Sequence, residues 1–321
     1  MSANSEKISF VIPCYGSEYT LESVIDNIHQ EMQKFTEYTY EIILINDGSP
    51  DRVFSIIEKI CAVDKTIKAL DLIRNFGQHN AIMAGFSVVT GDIIVGIDDD
   101  GQQPLEALNM LLEKIQDGYD VVFGADSGKK NGFIRSIGSL IHDWMGVSFM
   151  GKPRGVRFSA FFIARRYVIQ EVMNCKNPSP FLSGIILRSS GRVTSVNLPF
   201  KKREGSKSGY TFGKLLSIWL NGFTAFSVKP LRVATFMGFL CALSGFLVAA
   251  GTIIHKLINP SILAGYTSLI GAILLTGGLI MLMLGMIGEY IGRIYICINN
   301  YPQYIIRQYI NVNEPFGTNK S

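Results

Sequence analysis

The chain has 321 residues, a formal net charge of +4 and only 17% charged side chains. With a mean hydropathy of +0.26 it is too apolar for an ordinary soluble protein, so part of it is expected to sit in lipid. This balance excludes a disordered chain, a disulfide scaffold and a purely cytosolic enzyme.

The N-terminus holds a short apolar run, Ile8 to Ile12, that ends at a proline and lacks both a basic leader and a small-residue cleavage site. It does not read as a signal peptide, so the residues that follow are expected to stay on the side of synthesis. Strands are expected at Ile8–Ile12, Glu41–Asn46, Ile67–Ile73, Asp92–Ile97 and Asp120–Gly124. Between them, Leu21–Phe35, Val53–Cys61, Gln78–Val89 and Leu105–Gln116 read as helices. This is the alternation of βαβ units feeding a parallel sheet. Four of the strand ends run directly into polar, glycine or proline residues, beginning at Pro13, Asp47, Arg74 and Asp98. Ligands of open α/β sheets bind beyond the carboxyl ends of strands, so these four loops are the expected site.

Residues 126–232 carry a glycine- and lysine-rich loop (Ser127 to Gly132), an aromatic run at 159–163 and a basic loop at 201–209. Beyond them, an amphipathic stretch containing Trp219 is expected to lie on a membrane surface. The 22 residues from Val233 to Ile254 and the 27 from Ile262 to Gly288 hold no charge. Each is long enough to cross a hydrocarbon core of about 30 Å. Lys201, Lys202, Arg203, Lys207, Lys214, Lys229 and Arg232 precede the first run, Arg293 and Arg307 follow the second, and the connection holds a lone Lys256. The positive-inside rule therefore puts both termini in the cytoplasm. The expected organisation is a catalytic domain over 1–210, a juxtamembrane helix over 211–232, membrane helices over 233–257 and 262–288, and a cytoplasmic C-terminal segment over 289–321. Gly271, Gly278, Gly285 and Gly292 recur every seven residues on one helix face, a surface suited to packing against the first span or another copy of the chain. A homo-oligomer is expected.

The strongest local signal is Ile-Asp-Asp-Asp-Gly-Gln-Gln at 97–103. Three adjacent acids repel one another, and a divalent cation relieves that repulsion; oxygen ligands suit Mg²⁺ or Mn²⁺ rather than zinc. Strand alternation puts Asp98 and Asp100 on one side with Gln102 next in register, and turns Asp99 away. An exposed acidic turn is the competing reading of these residues alone. Asp47 ends another strand and would lie near Asp98 if those strands are close in the sheet, although Asp-Gly-Ser is by itself a good turn. Neither GxGxxG nor GxxxxGK[ST] occurs, so dinucleotide and P-loop binding are unsupported. The five cysteines and four histidines fall in no ligand spacing and read as ordinary packing residues.

Seven stretches in order, at 11–18, 46–51, 74–78, 98–102, 203–210, 226–232 and 288–295, resemble the inverting glycosyltransferases of family 2. Within them they resemble most the polyprenyl-phosphate sugar synthases, such as the dolichol-phosphate mannose synthases and bactoprenol glucosyltransferases. The resemblance implies a GT-A (Rossmann-like) α/β fold in which Pro13, Tyr15, Glu18, Asp47 and Asp98 hold the nucleoside. It implies that Asp100 and Gln102 hold the metal on the diphosphate, and that Arg203 and Lys207 grip phosphates of donor or lipid. Asp100, Gln102 and Arg203 are thus the expected catalytic residues. The implied reaction moves a sugar from a nucleotide sugar, expected to be UDP-linked, to undecaprenyl phosphate at the cytoplasmic face of a bacterial inner membrane. The acceptor phosphate is already ionised at neutral pH, so no general base is expected. Membrane lipid is an expected partner and nucleic acid is not.

Four departures from the family pattern stand out: Gly16 where asparagine is usual, Asn46 where an acid is usual, Ser159 in place of an acid, and no arginine directly after the fifth strand. Lys129, Lys130 or Arg135 are candidates to supply that missing charge. Two rival readings remain. A processive polysaccharide synthase would carry a GlnxxArgTrp motif and more spans. A non-catalytic scaffold would not need Asp98, Asp100 and Gln102.

Overall fold

The computed structural model describes residues 5–127, 153, 155–178, 180–200, 266–299 and 301–312, with scattered positions between 235 and 258. The chain forms two units, one made of 1–208 together with 300–321 and the other of 209–299.

In the first unit the expected alternation is present: β1 (Lys7–Cys14), α1 (Leu21–Met32), β2 (Thr39–Asn46), α2 (Val53–Val63), β3 (Ile67–Leu72), α3 (Gln78–Phe86), β4 (Ile93–Gly96), α4 (Leu108–Gln116) and β5 (Val121–Asp126). Several bounds move inward. The helix expected from Leu105 begins as a separate 3₁₀ turn at Leu105–Ala107, and β4 stops at Gly96, before the acids. Five elements follow that the sequence did not announce: β6 (Phe162–Arg165), α5 (Arg166–Met173), α6 (Leu182–Ser189), β7 (Val193–Leu198) and β8 (Ile306–Ile310).

The eight strands form one sheet in the order β7-β5-β6-β4-β1-β2-β3-β8. β1 to β4 are parallel as expected. The sheet as a whole is mixed, because β6 runs antiparallel between β4 and β5, and β8 runs antiparallel along β3. The segment expected to be a C-terminal cytoplasmic tail therefore supplies an edge strand to the catalytic sheet.

Period-two alternation sends strand side chains into two separate cores. Ile8, Phe10, Ile12 and Cys14 of β1 join Ile42 and Leu44 of β2 on the face covered by α1, α2 and α4. Val11, Ile43 and Ile45 face the other side, under α3, α5 and α6. α1 buries Leu21, Val24, Ile25, Ile28 and Met32, the three-and-four spacing of one helical stripe. Each such side chain contributes roughly 1.5–3 kcal/mol when fully buried, so the sheet is a rigid platform for the loops at its carboxyl edge.

Pro13 shapes that edge. β1 pairs with β4 only from Ile8 to Val11, while its pairing with β2 continues to Cys14. Alternation turns Val11 and Pro13 toward the same neighbour, and proline has no N–H to donate there. The two strands part at the point where the strand order reverses, the usual place for a ligand crevice.

In the second unit α7 runs Tyr266–Ile298, 33 residues. Among the described residues no helix is long and apolar enough to cross a membrane. The segments expected to span, 233–257 and 262–288, lie partly outside those residues. A Cβ on Gly238 would meet Met283 at 3.1 Å, so these two residues approach closely. At Gly278, Gly285 and Gly292 a Cβ would meet nothing within 4 Å.

Candidate functional site

The three acids sit in a turn that follows β4, and each takes a different partner. Asp98 accepts Gln78 Nε2 on one oxygen at 2.5 Å and Gln103 Nε2 on the other at 2.6 Å. Its own amide donates to Gln103 Oε1. Asp99 turns to the loop after β1, where its carboxylate accepts the Tyr15 amide at 2.9 Å and its carbonyl accepts Thr20 Oγ1. Asp100 accepts the Gln102 amide on Oδ1 at 3.0 Å. Burial, followed by the neighbouring Asp100, pushes the Asp98 carboxyl up to about 6, and burial raises Asp99 as well. Burial and a neighbouring like charge both favour the protonated form.

Asp47 is 3% exposed. Its two oxygens accept the amides of Phe76 and Gly77 at 2.7 and 2.9 Å. Burial raises its carboxyl against the lowering effect of those two amides. The turn it holds continues into Gln78, the partner of Asp98, so residues 76–78 link the two acids although β1 lies between their strands. Gly48 lets the two loops meet: it has φ +60°, and a Cβ there would lie 2.4 Å from the Arg74 carbonyl carbon. The Arg74 guanidinium stands 4.8 Å from the centre of the Phe76 ring.

The third wall is the loop after β1. Tyr15 is 52% exposed. Gly16 adopts φ +71° and donates its amide to Ser49 Oγ at 2.8 Å. Asparagine is among the few other residues that tolerate this left-handed conformation, which explains why glycine can replace it here. Glu18 donates its amide to Asp51 and accepts Arg52 Nε at 3.4 Å. A hydrogen bond from Tyr19, then the Arg52 contacts, hold its carboxyl below the usual range.

Asn46 has its own explanation. It is buried, donates Nδ2 to Asp71 Oδ1 at 2.7 Å and accepts the Ser49 amide on Oδ1. An acid in its place would set two carboxylates against each other. Ser159 accepts the Phe161 amide and so stabilises the backbone leading into β6.

The structure thus gathers Pro13, Tyr15, Glu18, Asp47, Asp98, Asp100 and Gln102 around the carboxyl ends of β1, β2 and β4. Gln102 reaches Asp100 through its backbone amide. Arg203, Lys207, Lys129, Lys130, Arg135 and the stretch 211–232, expected to be a juxtamembrane helix, lie outside the described residues. Sequence reasoning missed Gln78, Gln103, Asp71 and Ser49. Gln103 was findable only by knowing that β4 ends at Gly96, since the turn cancels the alternation that favoured Gln102.

Among the described residues no three His, Cys, Asp or Glu side chains converge as a metal cluster. A magnesium-type ion does not need one: it binds through one or two carboxylates and fills its other positions with water and phosphate oxygens. The donor set of Asp98 and Asp100 fits that requirement.

Residues 9–171 match the family described as Glycosyl transferase family 2, and residues 229–294 match the GtrB C-terminal hairpin. The chain is 31% identical to undecaprenyl-phosphate 4-deoxy-4-formamido-L-arabinose transferase of Proteus mirabilis, covering 96% of this chain and 95% of that protein. It is 33% identical to the SfII prophage-derived bactoprenol glucosyl transferase of Shigella flexneri, over 94% of this chain and 98% of the relative. It is 32% identical to the uncharacterized glycosyltransferase YkcC of Bacillus subtilis, over 94% and 93%. The sheet order, the acidic turn at its switch point and these matches agree: the chain belongs to glycosyltransferase family 2.

Proposed function

We propose that this protein transfers a sugar from a nucleotide donor, UDP-linked in our reading, to undecaprenyl phosphate, giving a polyprenyl-phosphate-linked sugar for envelope glycan synthesis or modification. The observation that carries the reading is the convergence of the Asp98–Asp100 turn, the Asp47-held turn and the Tyr15 loop on the crevice between β1 and β4, in a chain whose relatives bear the names of such transferases.

Each wall has a task. The Tyr15 ring and the Asp47-held turn frame the nucleoside, and Asp98 sets the turn that faces it. Asp100 and Gln102, with Asp98 beside them, would hold Mg²⁺ or Mn²⁺; when bound, that ion would neutralise charge developing on the departing nucleoside diphosphate. Arg203 and Lys207 would add positive charge at the phosphates. The attacking oxygen is an ionised phosphate, so the chain's contribution is alignment and electrostatics rather than proton removal.

The same reading places the enzyme on the cytoplasmic face of the inner membrane, held by spans over 233–257 and 262–288. Two observations support it. β8 follows the 209–299 segment yet joins the sheet formed before it, which suits a segment that enters a bilayer and returns to the side it left. Two crossings are compatible with this connectivity. Along α7, Leu269, Ile273, Ile280, Met281 and Leu284 are exposed, an apolar surface that lipid or a second copy would cover.

The test is to incubate purified protein with undecaprenyl phosphate and a panel of nucleotide sugars, then weigh the lipid product. A mass increase of one sugar residue is expected, and Asp100→Ala should abolish it while leaving the melting temperature unchanged. No product from any donor, or full turnover by the variant, would refute the assignment.

A further inference from the structure

The C-terminal strand makes a contact that edge pairing alone does not require. β8 meets β3 through Ala69↔Ile310, Leu70↔Tyr309 and Asp71↔Gln308, then skips one residue to pair Leu72 with Ile306. The skipped residue is Arg307. A bulge of this kind re-aims a side chain, and here it turns the guanidinium onto β3. Arg307 Nη1 donates to Asp71 Oδ2 at 3.2 Å and Nη2 donates to the Ile73 carbonyl at 3.1 Å.

Asp71 is 2% exposed, and its other oxygen accepts Asn46 Nδ2 at 2.7 Å. Asn46 Oδ1 accepts the Ser49 amide at 3.1 Å. Ser49 Oγ in turn accepts the Gly16 amide at 2.8 Å and donates to Asp51 at 2.6 Å. Asp51 accepts the Glu18 amide at 3.0 Å. One continuous series of hydrogen bonds runs from the edge strand through two buried polar side chains to the loop after β1.

We propose that Arg307 is a positioning residue for the nucleotide donor, holding Asp71 so that Asn46 and Ser49 keep the Tyr15–Glu18 loop in its binding conformation. The proposal rests on the donor reading given above. Asp71 is a buried acid, and among the described residues Arg307 is the cation that pairs with it. Without that cation the buried charge bears more heavily on Asn46, which already donates to it. β8 itself is held independently. Asn311 Nδ2 donates to the carbonyls of Cys61 and Ile67 at 2.7 and 2.9 Å, and Gln303 Nε2 donates to those of Cys175 and Asn177. Loss of the Arg307 side chain therefore leaves the strand seated.

The experiment uses the full chain in detergent micelles. UDP and GDP affinities are measured by calorimetry in the presence of Mn²⁺, and KM is measured separately for donor and for undecaprenyl phosphate. Arg307→Ala should raise the donor Kd and KM about tenfold, the equivalent of about 1.4 kcal/mol, with acceptor KM unchanged. Arg307→Lys should recover most of the loss. In an Asp71→Asn background, where no buried charge needs holding, Arg307→Ala should add nothing further. Donor and acceptor constants that shift together with the melting temperature, or donor affinity that does not change, would overturn the proposal. A wild-type chain that binds neither nucleotide would instead remove the donor reading beneath it.

Discussion

Asp47 and Asp98 are held by three consecutive residues of one turn: Asp47 accepts the amides of Phe76 and Gly77, and the next side chain, Gln78, donates to Asp98 at 2.5 Å. The two acids follow strands on opposite sides of β1, and this turn bridges the gap between them. The Asp47 carboxylate accepts one backbone amide on each oxygen and so fixes the turn that leads to the partner of Asp98.

The two ends of the bridge should therefore fail differently. Asp47→Ala leaves two amides without their acceptor, at about 1–3 kcal/mol each if water cannot replace it. Both the melting temperature and nucleotide affinity should fall. Gln78 is exposed and supplies one of two bonds to Asp98, so Gln78→Ala should lower Mn²⁺-dependent UDP affinity several-fold and leave the melting temperature nearly unchanged. Calorimetry paired with thermal melts distinguishes the two; equal melting losses in both variants would contradict the bridge.

Asn46 gives a charge-exchange test. Asn46→Asp places a second carboxylate within hydrogen-bond distance of Asp71, and two acids that close cannot both stay ionised without cost. The variant should be less stable than wild type at pH 7.5 and recover toward pH 5 as the pair takes up a proton. Combining Asn46→Asp with Asp71→Asn restores one amide facing one acid, and should return at least half of the lost melting temperature at pH 7.5. A single variant with wild-type stability across this range would show that Asn46 and Asp71 are not coupled.

Much of this architecture is legible in the amino-acid sequence. β1, β2 and β4 announce themselves because each carries an apolar run buried on both faces, and the acids that follow β2 and β4 mark the site. What the sequence hides has physical causes. β4 stops at Gly96, so residues 97–103 form a turn in which Gln103, not Gln102, returns to Asp98. β6 runs antiparallel and is only four residues long. β8 is an edge strand whose central residues Arg307, Gln308 and Tyr309 face solvent, leaving too little apolar pattern to identify it. Asp71 reads like any acid in a strand, and only the bulge at Arg307 gives it a cation.

Away from the site, Glu41 anchors the amino ends of the strands. It is 2% exposed and accepts Lys68 at 2.8 Å, Lys7 at 2.9 Å, Ser9 Oγ at 2.6 Å and the Thr90 amide at 2.7 Å. Burial pushes its carboxyl up, but these hydrogen bonds outweigh burial and bring it from an ordinary 4.5 down to about 2. A depressed acid stabilises the fold above its unfolded pKa and stops doing so as pH falls through the folded one. The chain should therefore lose stability between about pH 4.5 and pH 2. Glu41→Gln strands two lysines and should cost about 3 kcal/mol at pH 7, with a flatter decline toward acid. Melting temperatures measured from pH 7 to pH 2.5 would check both, and parallel acid limbs in the two proteins would exclude Glu41 as their source.

The edge strand also dictates how a form without residues 209–299 must be built. A fragment ending at Ser208 lacks β8 and bares the N–H and C=O groups of β3 from Ala69 to Leu72. An unpaired edge of this kind invites association with other chains. That fragment should aggregate. Joining Ser208 to Asn300 through a flexible linker of about 20 residues, with a reach of about 25 Å, keeps β8 and with it Arg307 and Asn311. The joined form should stay monodisperse without detergent and bind UDP with the affinity of the full chain, because every described residue of the site lies in the first unit. Size-exclusion chromatography and calorimetry on the two forms decide the matter. A monodisperse fragment with full affinity would mean that the site does not depend on the C-terminal strand.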